Sequence, residues 1–111
     1  MKKILVPTDG SASSLMAEET AAVIAKKTVA TVTVLHVMQE FKLGYQFPPY
    51  IQDELIGSIH QHAESIMNNA RALFTEEAVK VETETVEGDP ANGILEFSKE
   101  DYDLIVMGAS G

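Results

Sequence analysis

The sequence predicts an α/β fold: an open parallel sheet with helices on both faces and strands in the spatial order 3-2-1-4. Three observations carry this. Strand-like apolar runs alternate with helical patterns in the order β-α-β-α-β-α-β, which implies right-handed crossovers and parallel pairing. The first, second and fourth strand segments are apolar almost throughout, as central strands are, whereas the third alternates with charge, as an edge strand does. The order 3-2-1-4 satisfies these demands together.

Each element has its own signals. Ile4-Leu5-Val6 is a buried strand closed by the turn Pro7-Thr8-Asp9-Gly10. Ser11 is placed to cap the helix that follows from Ala12 to Lys27. Within it Ala17, Ala21, Ile24 and Ala25 fall at helical spacing, and their small size predicts close approach to the sheet. Lys26 and Lys27 stand in the last turn, where positive charge suits the helix dipole. Thr31 to Met38 is the second strand. Glu40 to Tyr50, with Gly44, Pro48 and Pro49, reads as a loop. Its Phe41, Tyr45, Phe47 and Tyr50 are unusual for a solvated linker and suit a segment that folds over a pocket or a partner.

A long helix is expected from Ile51 to Glu77, with Leu55, Ile59, Ala63, Ile66, Ala70 and Leu73 as one core stripe. From Val79 to Val86 the pattern alternates: Val79, Val81, Thr83 and Thr85 share one face, Lys80, Glu82 and Glu84 the other. Asp89 as cap and Pro90 at the first position open a third helix, with Ala91, Ile94, Leu95 and Ser98 as its inner side. Tyr102 to Met107 forms the fourth strand and runs into Gly108-Ala109-Ser110-Gly111. No repeat, low-complexity tract or linker interrupts residues 1–111, so one domain is expected. An apolar fourth strand left at an edge invites aggregation. A further helix and a fifth strand are therefore expected beyond Gly111.

Composition narrows the function classes. The chain has 111 residues, 45% of them hydrophobic, and no cysteine, which excludes disulfides, thiol catalysis and zinc–thiolate or iron–sulfur sites. With 8 basic and 17 acidic residues the net charge is −9, which opposes nucleic-acid binding. No run approaches the roughly 20 apolar residues of a membrane span. The N-terminal apolar run is interrupted by Asp9, unlike a secretion signal, so an intracellular, cytoplasmic setting is expected.

In the order 3-2-1-4 the chain reverses between strands 1 and 4, and ligands of open α/β sheets bind beyond the carboxyl ends of the strands at such a reversal. The loops there are Pro7-Thr8-Asp9-Gly10 and Gly108-Ala109-Ser110-Gly111. Glycines at 108 and 111 let the backbone approach a ligand and turn N–H groups toward phosphate oxygens; the plainer reading is a strand-ending turn. The Asp9 carboxylate could accept from a ribose or hold a metal; the plainer reading is a helix-entry residue. His36 reads as a core or rim residue, and His60 and His62 point to different sides of a helix. Ser11, Ser13 and Ser14 are helix-start residues without a Gly-x-Ser-x-Gly elbow. Glu76, Glu77, Glu82, Glu84 and Glu87 read as a solvated face, and Met16, Met38, Met67 and Met107 mostly as core fillers. Neither a P-loop nor a Gly-x-Gly-x-x-Gly fingerprint is present. No catalytic residue and no metal site are expected.

Four segments, KKILVPTDGS, VTVLHV, EGDPANGILEFS and DLIVMGASG, resemble in order the universal stress protein family. The resemblance implies a Rossmann-like sheet of the adenine nucleotide alpha hydrolase-like type in the order 3-2-1-4-5. Nucleotide-binding members carry G-x2-G-x9-G-[S/T] after strand 4; Gly108 and Gly111 match its first half, and its second half falls after Gly111. The resemblance further implies an adenine nucleotide, ATP or AMP, with Mg2+ as a possible companion. Asp9 would contact the ribose, Pro7 and Thr8 would shape the corner, and Val37 would meet the adenine through its backbone. Met107, Gly108 and Gly111 would line the other side. It also implies a role in stress response and a homodimer joined through the last strand. Hydrolysis should be slow at most, since no general base or cation lies near either loop. An alternative remains open: an interaction module of the same fold, acting through the aromatic loop.

Overall fold

The computed structural model describes residues 1–39 and 47–108. Its elements follow in the order β1 (Lys3–Pro7), α1 (Ala12–Thr28), β2 (Thr31–Met38), α2 (Pro49–Glu76), β3 (Val81–Glu87), α3 (Pro90–Ser98) and β4 (Leu104–Ile105). The four strands form one sheet in the order β3-β2-β1-β4, and all three pairings are parallel. The order expected from the patterning is thus observed, with the amphipathic β3 at one edge. Register sets Lys3 beside Thr31, Ile4 beside Leu104 and Val37 beside Val86.

Side-chain alternation divides the sheet into two faces. Ile4 and Val6 of β1 with Val32 and Val34 of β2 meet Ala21, Ala22 and Ala25 of α1 and Ile66, Met67, Ala70 and Phe74 of α2. This is the main core. Alanines along α1 let its backbone approach the strands, as their size predicts. On the opposite face α3 packs against β2. No helix among the described residues is long and apolar enough to cross a membrane.

The structure departs from the expected element details in several places. The apolar stripe of α2 is core only from Ala63 onward, and Met67 and Phe74 join it; Leu55 is 40% exposed. A helix of 28 residues is roughly 42 Å long, whereas a strand of eight residues spans roughly 26 Å. The N-terminal half of α2 therefore overhangs the sheet. The α2 helix also begins at Pro49, two residues earlier than expected, so Tyr50 is helical.

On α3 the side turned inward is Gly93, Ile94, Phe97 and Ser98, all half-buried, while Ala91 and Leu95 are exposed. Gly93 decides this: a Cβ there would lie 2.8 Å from Val37 Cγ2, so the helix meets β2 at its glycine. Val79 is buried ahead of β3 rather than in it, and Val86, not Thr85, is the half-buried residue near the end of that strand. Strand β4 is reduced to two residues, although Asp103 N–H to Lys3 O (2.9 Å) and Val106 N–H to Leu5 O (2.9 Å) continue its ladder. Met38 and Met67 are buried fillers, but Met16 and Met107 are exposed. Phe41, Gly44 and Tyr45 lie outside the described residues; Phe47 and Tyr50 are exposed.

Helix caps follow the sequence closely. The Ser11 side chain accepts from Ser14 N–H, and Asp89 accepts from Asn92 N–H with Pro90 at the first position. The α1 C-cap is Val29, a β-branched residue at φ 56° and 91% exposed. A left-handed conformation costs such a residue about 1–2 kcal/mol. Val29→Gly should therefore stabilise the protein by about 0.5–1 kcal/mol, after the extra unfolded-state entropy of glycine is deducted. A chemical-denaturation midpoint that falls instead would show that Val29 makes compensating contacts.

Candidate functional site

Where β1 ends, the corner Thr8-Asp9-Gly10 is held from three directions. Thr8 N–H donates to Leu35 O at 2.8 Å, and the Thr8 carbonyl accepts from His36 Nδ1 at 2.9 Å. The Thr8 hydroxyl donates to Glu18 Oε2 of α1 at 3.0 Å and accepts from Gly10 N–H at 3.3 Å. Gly10 adopts φ +80°, and a Cβ there would come within 2.9 Å of Ile66 Cγ1, so the turn requires glycine. His36 is buried and bonded to the corner, in keeping with a structural residue.

The Asp9 Oδ1 accepts from Ser11 N–H (2.9 Å) and from the Ser14 hydroxyl (2.7 Å). The nearby Ser11 side chain first, then the hydrogen bonds from the Ser14 hydroxyl and the Ser11 amide, hold the Asp9 carboxyl at about 2 against an ordinary 3.8. The group is therefore a committed anion. Because its folded value is depressed, the stability it contributes is complete above the unfolded value and is lost as pH falls through the folded one. The melting-temperature gap between wild type and Asp9→Asn should accordingly close between about pH 5 and about pH 2. A gap constant over that range would contradict these bonds.

At the other side of the reversal, Gly108 follows β4 and lies against the first turn of α1. A Cβ on it would sit 2.7 Å from the Ser13 carbonyl carbon and oxygen and 2.9 Å from Ser14 N. The corner after β1, the Met107-Gly108 segment after β4 and the start of α1 thereby border a cleft of about 250 Å³. Six residues expected at the site from the sequence line it together: Pro7, Thr8, Asp9, Val37, Met107 and Gly108. The seventh, Gly111, lies outside the described residues.

Five lining residues were not singled out as site residues by their sequence pattern: Ser13, Ser14, Leu35, Pro90 and Ile94. The serines read as helix-start residues, and both roles hold, because the first turn of α1 is itself a wall of the cleft. Ile94 and Pro90 enter from α3 on the face opposite α1, a placement that the reversal of strand order dictates. Asp9 is the one charged residue among the lining residues described, and the α1 N-terminus contributes the positive end of a helix dipole. A wider apolar groove of about 690 Å³ adjoins, sharing Asp9, Val37 and Pro90 and reaching Leu55, Ile56 and Ile59 on the overhanging half of α2. His60 and His62 are exposed, and no group of three or more histidine or acidic side chains converges as a metal site among the described residues.

Comparison with known proteins places these features in a family. The universal stress protein family model matches residues 1–111. The chain is 38% identical over 112 residues to universal stress protein MJ0531 of Methanocaldococcus jannaschii, covering 99% of this chain and 65% of that one. It is 33% identical to universal stress protein YxiE of Bacillus subtilis, covering 98% of this chain and 79% of the relative. The chain thus spans less than two thirds of the length of the first of these relatives. A universal stress protein from Burkholderia pseudomallei has a similar structure, with a TM-score of 0.82 at 26% identity over 97% of this chain and 81% of that one. Two more distant structures of the same fold were solved with ligands. One is a universal stress protein in complex with cAMP (TM-score 0.72, 23% identity, 95% of this chain, 74% of that one). The other is a family protein from Arabidopsis thaliana with AMP bound (TM-score 0.75, 19% identity, 98% of this chain, 77% of that one). With the family model matched from end to end and the sheet order in agreement, this chain belongs to the universal stress protein family.

Proposed function

We propose that the cleft binds an adenine nucleotide, AMP or ATP, and that the chain acts as a nucleotide-responsive regulatory domain in a stress response. The observation that carries this is the meeting of Asp9, Val37 and Gly108 around one cleft at the reversal of strand order. In this reading the Asp9 carboxylate accepts from ribose hydroxyls while the Ser11 and Ser14 bonds keep it ionised. The β2 backbone at Val37 meets the adenine edge. The phosphates lie toward the Gly108 turn and the N-terminus of α1, where backbone N–H groups and the helix dipole favour negative charge. Pro7 and Thr8 shape the corner, and Met107 completes the wall. Support from outside the chain is the AMP and cAMP held by proteins of the same fold.

Calorimetry tests the reading with AMP, with ATP and with ATP plus Mg2+. Saturable heat with AMP or ATP that disappears in Asp9→Ala is the expected result. No heat at millimolar nucleotide would overturn it. Turnover of ATP should be far below ordinary enzyme rates of about 10 s⁻¹, because no lining residue described is a lysine, arginine or histidine. A cytoplasmic setting and a homodimer joined through the family's last strand belong to the same proposal; sedimentation at two protein concentrations tests the second.

One observation favours a second reading, an interaction module. Tyr50, Leu55 and Ile56 are exposed at 69%, 40% and 46% on the overhanging half of α2. Replacing all three with serine would abolish partner capture in that case and leave nucleotide affinity intact.

A further inference from the structure

Glu18 does not line the cleft, yet it is buried beneath the corner of the cleft, only 5% exposed. It stands on the inner side of α1 among Ala17, Ala21 and Ala22. Neither ion pair formed among the described residues includes it. Burial raises the pKa of its carboxyl, and the nearby Glu19 adds to this, against the opposing hydrogen bond from Thr8. A carboxylate in such a place destabilises a fold relative to an aliphatic side chain of similar size. Its one described bond, from the Thr8 hydroxyl at 3.0 Å, is therefore the feature to explain.

A hydroxyl has a single proton. When Thr8 gives that proton to Glu18, its oxygen is left to accept from Gly10 N–H, which it does at 3.3 Å. Thr8 N–H and the Thr8 carbonyl are already held by Leu35 O and His36 Nδ1 on β2. The hydroxyl is the remaining polar atom of Thr8, and it adds a second tie between α1 and the turn on which Asp9 rides, beside the Ser14 hydroxyl that accepts from Asp9 N–H and donates to Asp9 Oδ1. Without an acceptor on α1 the Thr8 side-chain rotamer loses one of its two anchors, and its oxygen can swing away from Gly10 N–H and weaken that 3.3 Å bond.

We infer that Glu18 is a positioning residue for the cleft: through the Thr8 hydroxyl it fixes the Asp9–Gly10 turn and so aims the Asp9 carboxylate. Its effect on ligand rests on the nucleotide reading above; its effect on the turn does not.

The test uses the 1–111 chain and three variants: Glu18→Leu, Glu18→Gln and Thr8→Val. In ligand-free protein the Gly10 amide resonance should move in Glu18→Leu and in Thr8→Val, and stay near its wild-type position in Glu18→Gln, which keeps an acceptor. AMP affinity should fall about tenfold in Glu18→Leu, the scale of one lost charge-assisted hydrogen bond, and recover to within about threefold in Glu18→Gln. The melting temperature of Glu18→Leu should equal or exceed that of wild type, so binding and stability move apart. A Gly10 resonance unmoved in Glu18→Leu overturns the inference, as does a loss of stability with affinity unchanged. If Glu18→Leu does not fold, Glu18→Ala, which also removes the acceptor, is read by the same amide: a moved Gly10 resonance supports the inference and an unmoved one overturns it. If wild type binds no AMP, the nucleotide reading fails, and the Gly10 resonance still decides the role of Glu18 in the turn.

Discussion

If the cleft holds a nucleotide as proposed, Gly108→Val should remove that binding, and it should destabilise the protein by about 1–3 kcal/mol, the usual penalty for forcing atoms into a packed site. The new Cβ would lie 2.7 Å from the Ser13 carbonyl group and 2.9 Å from Ser14 N. These are backbone atoms in the first turn of a 17-residue helix whose buried face is locked into the core. They cannot swing aside as the end of a flexible side chain can, so the end of β4 must lift off α1. That movement opens the cleft between Gly108 and Asp9. Gly57→Ala is the control, because nothing lies within 4 Å of a Cβ at that helical position. It should bind nucleotide normally and gain up to about 1 kcal/mol in stability. Calorimetry and urea unfolding of both variants check the pair. Wild-type affinity in Gly108→Val would show that the β4–α1 contact does not form the wall of the site.

Phe74→Ala should cost about 3–5 kcal/mol, the range for truncating a buried aromatic residue. Phe74 is fully buried and is the largest of the fully enclosed side chains. It lies in the cluster that joins both sheet-covering helices to β1 and β2. Domains of this size have only about 5–15 kcal/mol in total, so the variant should be largely unfolded near body temperature. A midpoint shift worth less than about 1 kcal/mol would mean that α2 does not dock as described. The loss should fall on the fold as a whole and not on the cleft alone, since Phe74 is remote from its lining.

Much of this fold could be read from residue patterning because its signals are local. Ser11 and Asp89 cap helices for the reason their side chains suggest, and the charged alternation of β3 does mark an edge. The strand order followed from asking which strands could tolerate an edge. What patterning missed depends on how elements of unequal size overlap. Periodicity puts Leu55 on the same stripe as Ala70, but nothing local says that the sheet ends before Leu55 does. In the same way, Leu95 looks internal by spacing, whereas Gly93 turns α3 by letting Val37 come close.

The site shows the same division. Pro7, Thr8, Asp9, Val37, Met107 and Gly108 line one cleft, as the topology and the family resemblance together suggest. Ser13, Ser14, Pro90 and Ile94 were visible as cap and helix residues, but their second role as cleft walls depends on tertiary placement. Glu18 was the least legible. A glutamate in an alanine-rich helix looks like a solvated residue until Thr8 is seen above it.

Whether an adenine nucleotide occupies the corner cleft is decided by amide chemical-shift mapping during an AMP titration. Saturable shifts are expected at Thr8, Asp9, Val37 and Gly108, with those of Leu55, Ile56 and Ile59 in the adjoining groove unmoved. Shifts confined to that groove, or none at millimolar AMP, would contradict occupation of the corner cleft.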